Sequence, residues 1–119
     1  MESLERFSVK EIWEQIDQQL QANKAPYKET NAVYEFHLMN DVDVVKYQLE
    51  FTDGEATVHY TNEKESDCIL KMKVKHFKKF LLGNLNSTTA FMTGKLKIDG
   101  NINLALKLEN MLKQYQFES

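Results

Sequence analysis

Apolar residues near the start of the chain recur every three or four positions, which is the spacing of one face of an α-helix. Ser8 and Glu11 have the spacing of a capping box, in which each side chain accepts a free backbone N–H of the first turn. Pro26 lacks a backbone donor and disfavours helical geometry at Ala25, so a first helix is predicted to end before it. The apolar face of this helix consists of Val9, Ile12, Trp13, Ile16 and Leu20.

The hydrophobic period then shortens to two. Four segments alternate apolar and polar residues, and each predicts a half-buried strand with one wet face. Asn40-Asp41 and Asp53-Gly54 lie between the first three segments, where a tight turn needs residues that tolerate positive φ, so these strands are predicted to form an antiparallel meander. The apolar positions are Tyr34, Phe36 and Leu38, then Val45, Tyr47, Leu49 and Phe51, then Ala56, Val58 and Tyr60, then Leu70, Met72 and Val74.

Helical spacing returns from His76 onward. One short helix is predicted to end at Gly83, a residue suited to a helix C-terminus, and a second runs from near Ser87 to Thr93. A fifth strand around Leu96 and Ile98 follows, and a last helix begins after Gly100-Asn101 and runs to about Tyr115. Strands gathered together with helices at the ends favour an α+β fold over a βαβ repeat.

The last helix is apolar on two sides. Its broad stripe lies nearly opposite Ile102 and Leu106, and a helix of this kind usually contacts two things. One contact is expected to be the sheet, and the other is a second helix, a subunit partner or a ligand. The broad stripe is made of Leu104, Ala105, Leu108, Met111, Leu112 and Tyr115.

The segment from Phe91 to Leu108 carries the most recognisable motif. Phe-Met-Thr-Gly-Lys-Leu-Lys-Ile-Asp-Gly-Asn, followed by Leu-Ala-Leu-Lys-Leu, resembles the sterol carrier protein-2 family. In that family a short helix leads into a Gly-Lys-Leu-x-Ile-x-Gly-Asp strand and turn, and a Leu-Ala-x-Lys-Leu helix follows. The order of elements matches across nearly the whole chain, although the N-terminal half matches by pattern only. Asn101 stands where the family often has Asp, and both residues cap helices well.

This resemblance implies a five-stranded, mostly antiparallel sheet with helices on one face and an apolar tunnel between them. Family members bind fatty acids, fatty acyl-CoA, phospholipids or sterols, so a non-enzymatic lipid-binding or lipid-transfer domain over residues 1–119 is expected, with a lipid or fatty acyl ligand as its partner and no cofactor. Family members also occur fused to or beside enzymes. The tunnel candidates are Phe36, Phe77, Phe80, Leu81, Phe91, Met92, Leu104, Leu108, Met111 and Leu112.

Five lysines and a histidine lie close together in the sequence, on the fourth strand and the helix that follows it. In one interpretation they surround the entrance for anionic headgroups and make transient contact with an anionic membrane surface. In the other they form an ordinary solvated face that protects a strand edge. Lys78 and Lys79 are the headgroup candidates. The whole set is Lys71, Lys73, Lys75, His76, Lys78 and Lys79.

Composition narrows the remaining function classes. The 119 residues carry a net charge of −3, which argues against nucleic acid as the partner. The single Cys68 excludes an internal disulfide and a cysteine-based zinc site, and it favours a reducing cytoplasmic location. The N-terminus lacks the apolar segment of a signal peptide, no apolar run is long enough to span a membrane, and the C-terminus is not a Ser-Lys-Leu-type peroxisomal signal.

Catalytic and metal sites find little support. His37 and His59 fall on polar strand faces without the spacing of a metal site, and pairing Cys68 with His59 as nucleophile and base rests on their presence alone. An enzyme acting on thioesters or lipids is therefore disfavoured. The main alternative to a lipid carrier is a protein-interaction or dimerisation module, accessory to a lipid-metabolising enzyme, whose two-sided last helix packs on another protein; a homodimer would be one form of it.

Overall fold

The computed structural model describes residues 6–117, and its first helix, α1, spans Val9–Ala22. The predicted capping box is confirmed: Glu11 N donates to Ser8 Oγ at 3.2 Å, and Ser8 N donates to Glu11 Oε1 at 2.8 Å. After α1, a short 3₁₀ turn covers Ala25–Tyr27. Pro26 lies in the first turn of this element, where a missing N–H donor has no consequence.

The predicted meander is confirmed. Strand β1 spans Ala32–Asn40, β2 spans Asp43–Thr52 and β3 spans Glu55–His59, and neighbouring strands pair antiparallel. Asp53 and Gly54 form the two-residue loop between β2 and β3 with φ of 51° and 79°. Two consecutive positive φ values are the geometry of a type I′ turn, which matches the twist of the flanking strands.

The fourth strand is shorter than its alternation predicts. Strand β4 spans Cys68–Lys73, and helix α2 begins at once and spans Val74–Leu81, so assigning Val74 to the strand was wrong. The parallel pairing of β4 with β1 ends at Lys73 opposite Met39, which leaves the chain free to turn into the helix. Tyr60, predicted to continue the third strand, lies beyond β3 and is 51% exposed.

The C-terminal third adds two helices and the last strand. Helix α3 spans Ser87–Met92, strand β5 spans Leu96–Gly100, and helix α4 spans Ile102–Leu112. Asn101 Oδ1 accepts the Asn103 N–H at 2.9 Å, so the predicted cap is confirmed, but the helix ends three residues before Tyr115. Gly100 has φ of +101° and lies where a Cβ would meet Asp67 O at 2.6 Å, so the close approach of β5 and β4 requires glycine here.

The five strands form one mixed sheet in the order β3-β2-β1-β4-β5, in which only the β1–β4 pair is parallel. Alternation gives the sheet two different faces. The inner face, carrying Tyr34, Phe36, Leu49, Phe51 and Leu70, is buried under the helices in one continuous core. The outer face carries polar positions of the same strands, among them Glu35, His37, Gln48, Glu50, Lys71 and Lys97.

Candidate functional site

The centre of the inner face is an aromatic cluster around Trp13 of α1. The Trp13 ring lies 5.1 Å from Phe36, 5.0 Å from Tyr47 and 5.4 Å from Phe77, measured between ring centroids. Trp13 and Phe77 are fully buried, and Phe36 is 1% exposed. Helices α1 and α2 therefore pack against the middle of the sheet through aromatic contacts. Such contacts combine a large apolar area with preferred ring geometries.

Most of the predicted tunnel residues lie in this interior. Leu104 is partly buried against it, and its carbonyl accepts the Tyr34 hydroxyl at 2.9 Å, which joins α4 to β1. The buried candidates come from β1, α2 and α4, three elements distant in sequence that share one core. They are Phe36, Phe77, Phe80, Leu81, Leu108, Met111 and Leu112.

Two tunnel candidates are located elsewhere. Phe91 is 43% exposed and Met92 is 79% exposed, both on α3. This helix turns Ser87 and Ala90 inward instead. In the described structure, therefore, Phe91 and Met92 lie outside the apolar interior, and a role in lining it stays a prediction.

Polar groups within the interior are few and mostly satisfied. The Tyr27 hydroxyl donates to Leu20 O at 2.7 Å, and the Tyr115 hydroxyl donates to Asn23 O at 2.5 Å. Trp13 Nε1 is buried without a hydrogen-bond acceptor among residues 6–117. Buried polar groups without partners are uncommon, so this N–H, like the Ser87 hydroxyl, is a buried donor that suits an oxygen of a bound molecule.

A cleft at the surface reaches one tunnel candidate. Met111 lines it between α4 and the segment around Pro26, with a volume of about 440 Å³. This volume is within the range of about 300–1,000 Å³ that is typical of small-molecule sites. We call it the Met111 cleft; its lining is Ala25, Pro26, Lys28, Glu29, Thr30, Lys107, Asn110, Met111 and Gln114.

A second cleft gathers basic residues on the outer face. Its volume is about 200 Å³, and we call it the lysine cleft. The headgroup candidates Lys78 and Lys79 line neither this cleft nor the Met111 cleft. Lys78 is half-buried on α2 and Lys79 is exposed. The lining of the lysine cleft is Met39, Lys71, Lys73, His76, Thr93, Gly94, Lys95 and Lys97.

Lys95 and Lys97 were not predicted to lie in this cleft. The β4–β5 pairing sets Lys97 directly opposite Lys71, so residues separated by more than twenty positions become neighbours. The alternation around Leu96 and Ile98 predicts an exposed side for Lys95 and Lys97, and only the strand partner was unknown. The missed signal was therefore long-range pairing, which no local pattern supplies.

Two buried carboxylates were also missed. Glu109 of α4 is 6% exposed, accepts the Ser87 N–H at 3.0 Å and lies 3.3 Å from Lys113 Nζ, so it ties α4 to the start of α3. Glu35 is likewise 6% exposed on the outer face and accepts the Gln48 side chain at 2.8 Å and the Ser66 hydroxyl at 2.6 Å. The hydrophobic pattern of the sequence does not distinguish Glu35 or Glu109 from a solvent-exposed glutamate.

The pairing of Cys68 with His59 is not formed. Cys68 is 1% exposed on the inner face, where burial and the nearby Asp67 raise the pKa of its thiol to about 11. His59 lies on the outer face with Nε2 2.9 Å from Glu50 Oε1. Within residues 6–117, groups of His, Cys, Asp and Glu suited to a metal ion are absent, and so are helices long and apolar enough to cross a membrane.

Comparison with known proteins identifies a family to which the chain is similar. A family model described as the SCP-2 sterol transfer family matches residues 13–113. Hydroxysteroid dehydrogenase-like protein 2 from Bos taurus is 38% identical over 88 residues, which is 73% of this chain and 21% of that protein. The chain thus spans about a fifth of the length of the curated relatives it matches.

Solved structures agree with the family model. Sterol carrier protein 2 from Yarrowia lipolytica, in its apo form, is 30% identical with a TM-score of 0.76 and covers 88% of this chain and 89% of its own. Palmitated SCP2L2 from Aedes aegypti has a TM-score of 0.72 over 94% of this chain and 100% of its own; at 16% identity that likeness bears on the fold alone. The family model covers most of the chain, and the chain therefore belongs to the SCP-2 sterol transfer family.

Proposed function

We propose that this chain is a non-enzymatic module that binds a lipid between the inner face of the sheet and the helices, and that it carries or presents that lipid. Family membership supports lipid binding or transfer in general. The fatty acyl, phospholipid and sterol ligands, the tunnel and the residues that line it belong to the proposal. A single domain over residues 1–119 and a cytoplasmic location stay predictions.

The observation that carries the proposal is the composition of the interior in a chain of this family. Trp13, Phe36, Phe77 and the buried apolar residues of α4 belong to one continuous core, and the buried carboxylate of α4, Glu109, is paired with Ser87 N and Lys113 Nζ. Burying one methylene contributes about 0.8 kcal/mol, so a long acyl chain binds such an interior well with few polar contacts. Binding of this kind discriminates weakly between chain lengths.

Polar recognition is expected at a few points. The Trp13 N–H, buried and without an acceptor among the described residues, suits the oxygen of a carboxylate, ester or hydroxyl group. Palmitate is a suitable probe because the Aedes aegypti structure named above is palmitated.

Entry of a chain requires the interior to open. Helices α2 and α3 are short, at 8 and 6 residues, so few internal hydrogen bonds hold each of them.

Met111 belongs to the core and also lines the Met111 cleft, so we propose this point as the opening. Methionine side chains adapt to ligands of different shape, which suits this position.

The test uses Trp13, the single tryptophan of the chain, as the reporter. Palmitate added to delipidated protein is expected to change the Trp13 fluorescence saturably and to raise the melting temperature, because a ligand that binds only the folded state stabilises it. Met111→Ala is expected to change the palmitate affinity. Met39→Ala, a matched change at an exposed position, is expected to leave it unaltered.

Two outcomes would count against the proposal at different levels. A folded Met111→Ala variant with unchanged palmitate affinity would remove Met111 from the site while leaving lipid binding intact. An unchanged Trp13 spectrum and melting temperature with palmitate, palmitoyl-CoA, phospholipid and cholesterol would remove the lipid-binding function. The interaction-module alternative, the homodimer and transient contact with an anionic membrane stay predictions, and the exclusion of nucleic acid stays one too.

A further inference from the structure

The lysine cleft lies on the outer face of the sheet, away from the aromatic interior. The strand register builds it, since Met39 of β1 lies opposite Lys73 of β4, and Lys71 of β4 lies opposite Lys97 of β5. The first turn of α2 and the α3–β5 turn complete it with His76, Thr93, Gly94 and Lys95. Four lysines from two strands and one turn therefore converge on one small concavity.

Among residues 6–117, the four lysines of this cleft share a single ion-pair partner. Lys71 Nζ lies 3.0 Å from Asp99 Oδ2. For Lys73, Lys95 and Lys97, in contrast, residues 6–117 supply no ion-pair partner. Like charges gathered without partners raise the local potential and favour an anion.

The pKa of His76 responds to the same positive charge. Burial lowers the pKa of His76, and four neighbouring lysines lower it further. Its Nδ1 is buried and has no hydrogen-bond partner among the described residues. His76 therefore lines a cleft whose neighbouring charges are positive. The four lysines acting on it are Lys75, Lys95, Lys73 and Lys79.

The start of α2 borders the cleft through Lys73 and His76. Its N-cap residue is Lys73, no side chain caps it, and its first turn contains no acidic residue. The first N–H groups of a helix lack partners inside the helix and lie at the positive end of its dipole. A lysine at the N-cap is the reverse of the acidic or hydroxyl residue that usually stabilises this end, and an external anion would relieve the mismatch.

We propose that the lysine cleft binds a phosphate group, as a phosphomonoester or a diphosphate. The volume of about 200 Å³ is below the range of about 300–1,000 Å³ typical of whole small-molecule sites, so it suits a compact headgroup. A doubly charged anion with three oxygens matches several lysines and backbone donors better than a carboxylate does. This site lies on the opposite face of the sheet from the proposed lipid interior and goes beyond that function.

The test is a two-dimensional ¹H–¹⁵N NMR titration of the full chain with sodium pyrophosphate at constant ionic strength. Saturable shifts are expected at the amides of Val74, Lys75 and His76 and at those of Thr93, Gly94 and Lys95. Acetate at the same ionic strength is expected to produce only weak, unsaturated shifts. Shifts that stay linear and spread over lysines across the whole surface would overturn the proposal.

Two matched double variants locate the effect. Lys73→Gln with Lys95→Gln is expected to weaken pyrophosphate binding about tenfold or more, since each change removes a charge-assisted contact. Lys10→Gln with Lys46→Gln removes the same charge at exposed positions that line neither cleft, and it is expected to leave the affinity unchanged. Equal weakening by both would overturn the proposal. If α2 is disturbed by the first pair, Lys95→Gln with Lys97→Gln repeats the test without touching the N-cap.

Separate additions identify the source of the phosphate. Short-chain phosphatidic acid, compared with phosphatidylcholine of the same chain length, distinguishes a lipid headgroup from a free phosphate. Saturation of the cleft amides by phosphatidic acid supports the first source, and saturation by pyrophosphate alone supports the second. Loss of palmitate binding at Trp13 would leave this result standing, because the two sites are measured by different signals. If neither phosphate compound shifts the cleft amides, the cleft is not a phosphate site.

Discussion

The two faces of the sheet are held by different physics although the same strands build both. On the inner face, Trp13 stacks against Tyr47 and meets Phe36 edge-on, and the contacts there are apolar. On the outer face, Gln48 is fully buried and donates to Glu35 and to Lys64 O, both at 2.8 Å. Apolar contacts tolerate rearrangement of shape, whereas a buried hydrogen-bond network fixes one arrangement.

This difference separates the two roles of the fold. The network on the outer face fastens the segment between β3 and β4 over the sheet, since Lys64 N also donates to Gln48 Oε1 at 3.2 Å. A ligand that displaced this segment would have to break directional bonds. A ligand that enters the inner face exchanges one set of apolar contacts for another, which is why we place the lipid between the sheet and the helices.

The largest effect is expected at the centre of the inner face. Trp13→Ala should lower the free energy of unfolding by about 3–5 kcal/mol, because it removes a fully buried ring from the core. Urea unfolding followed by circular dichroism measures it. Trp13→Phe is the matched control and should cost much less, since Trp13 Nε1 donates no hydrogen bond among residues 6–117. Equal losses would mean that the indole itself is required.

The next effect is expected at the centre of the outer face. Gln48→Ala should cost about 2–3 kcal/mol, because Glu35 and Lys64 lose their partner in a buried site. Gln18→Ala, an exposed change on α1, should be nearly neutral. Urea midpoints of the two variants make the comparison. A neutral Gln48→Ala would show that the outer-face network contributes nothing to stability.

Acid should weaken the network on the outer face. Burial would raise the pKa of Glu35, but hydrogen bonds with Ser66, His37 and Gln48 outweigh it and hold that pKa below its ordinary value of 4.5. A lowered folded-state pKa contributes stability above pH 4.5 that is lost as the pH falls through the folded value.

Glu35→Gln should therefore lower the free energy of unfolding by about 1–2 kcal/mol at pH 7. It should also make the free energy of unfolding fall less steeply with decreasing pH, which is the acid limb of the stability curve. Unfolding by urea at a series of pH values from neutral to acid measures the curve. Glu29→Gln, at an exposed position, removes the same charge and should keep the wild-type slope. An equally steep acid limb in Glu35→Gln would assign the acid sensitivity to other groups.

The smallest effect is expected at the margin of the outer face. His59→Gln removes the contact with Glu50, but Lys64 Nζ lies 3.5 Å from the same carboxylate oxygen. Partly exposed ion pairs contribute about 0–1 kcal/mol, so a change below about 1 kcal/mol is expected in the same urea assay. A larger loss of stability would show that His59 and Glu50 belong to the same hydrogen-bond network as Gln48 and Glu35.

The parts of the fold that local chemistry determines were predictable. Ser8 with Glu11 and Asp53 with Gly54 specify a helix start and a hairpin turn by themselves, and alternation assigned the inner-face positions correctly except for Tyr60 and Val74, which lie beyond the ends of β3 and β4. Long-range pairing was not predictable: β4 lies parallel to β1, and β5 brings Lys97 beside Lys71.

The candidate site was partly predictable for the same reason. Phe36 and Phe77 were identified because buried aromatic residues follow a period. Phe91 and Met92 follow the same period but are exposed on α3, since six residues form a helix with little inward surface. The burial of Glu35 and Glu109 depends on partners supplied by other elements, and no local pattern records them.

The most direct test of lipid binding is native mass spectrometry of the freshly purified protein, followed by organic extraction and identification of the extracted lipid. The account predicts an adduct with the mass of a fatty acid, phospholipid or sterol that disappears on delipidation and returns when the lipid is added back. A bare protein mass that stays unchanged with every added lipid would contradict the account, and a stable oligomer in the same spectrum would favour the interaction-module alternative.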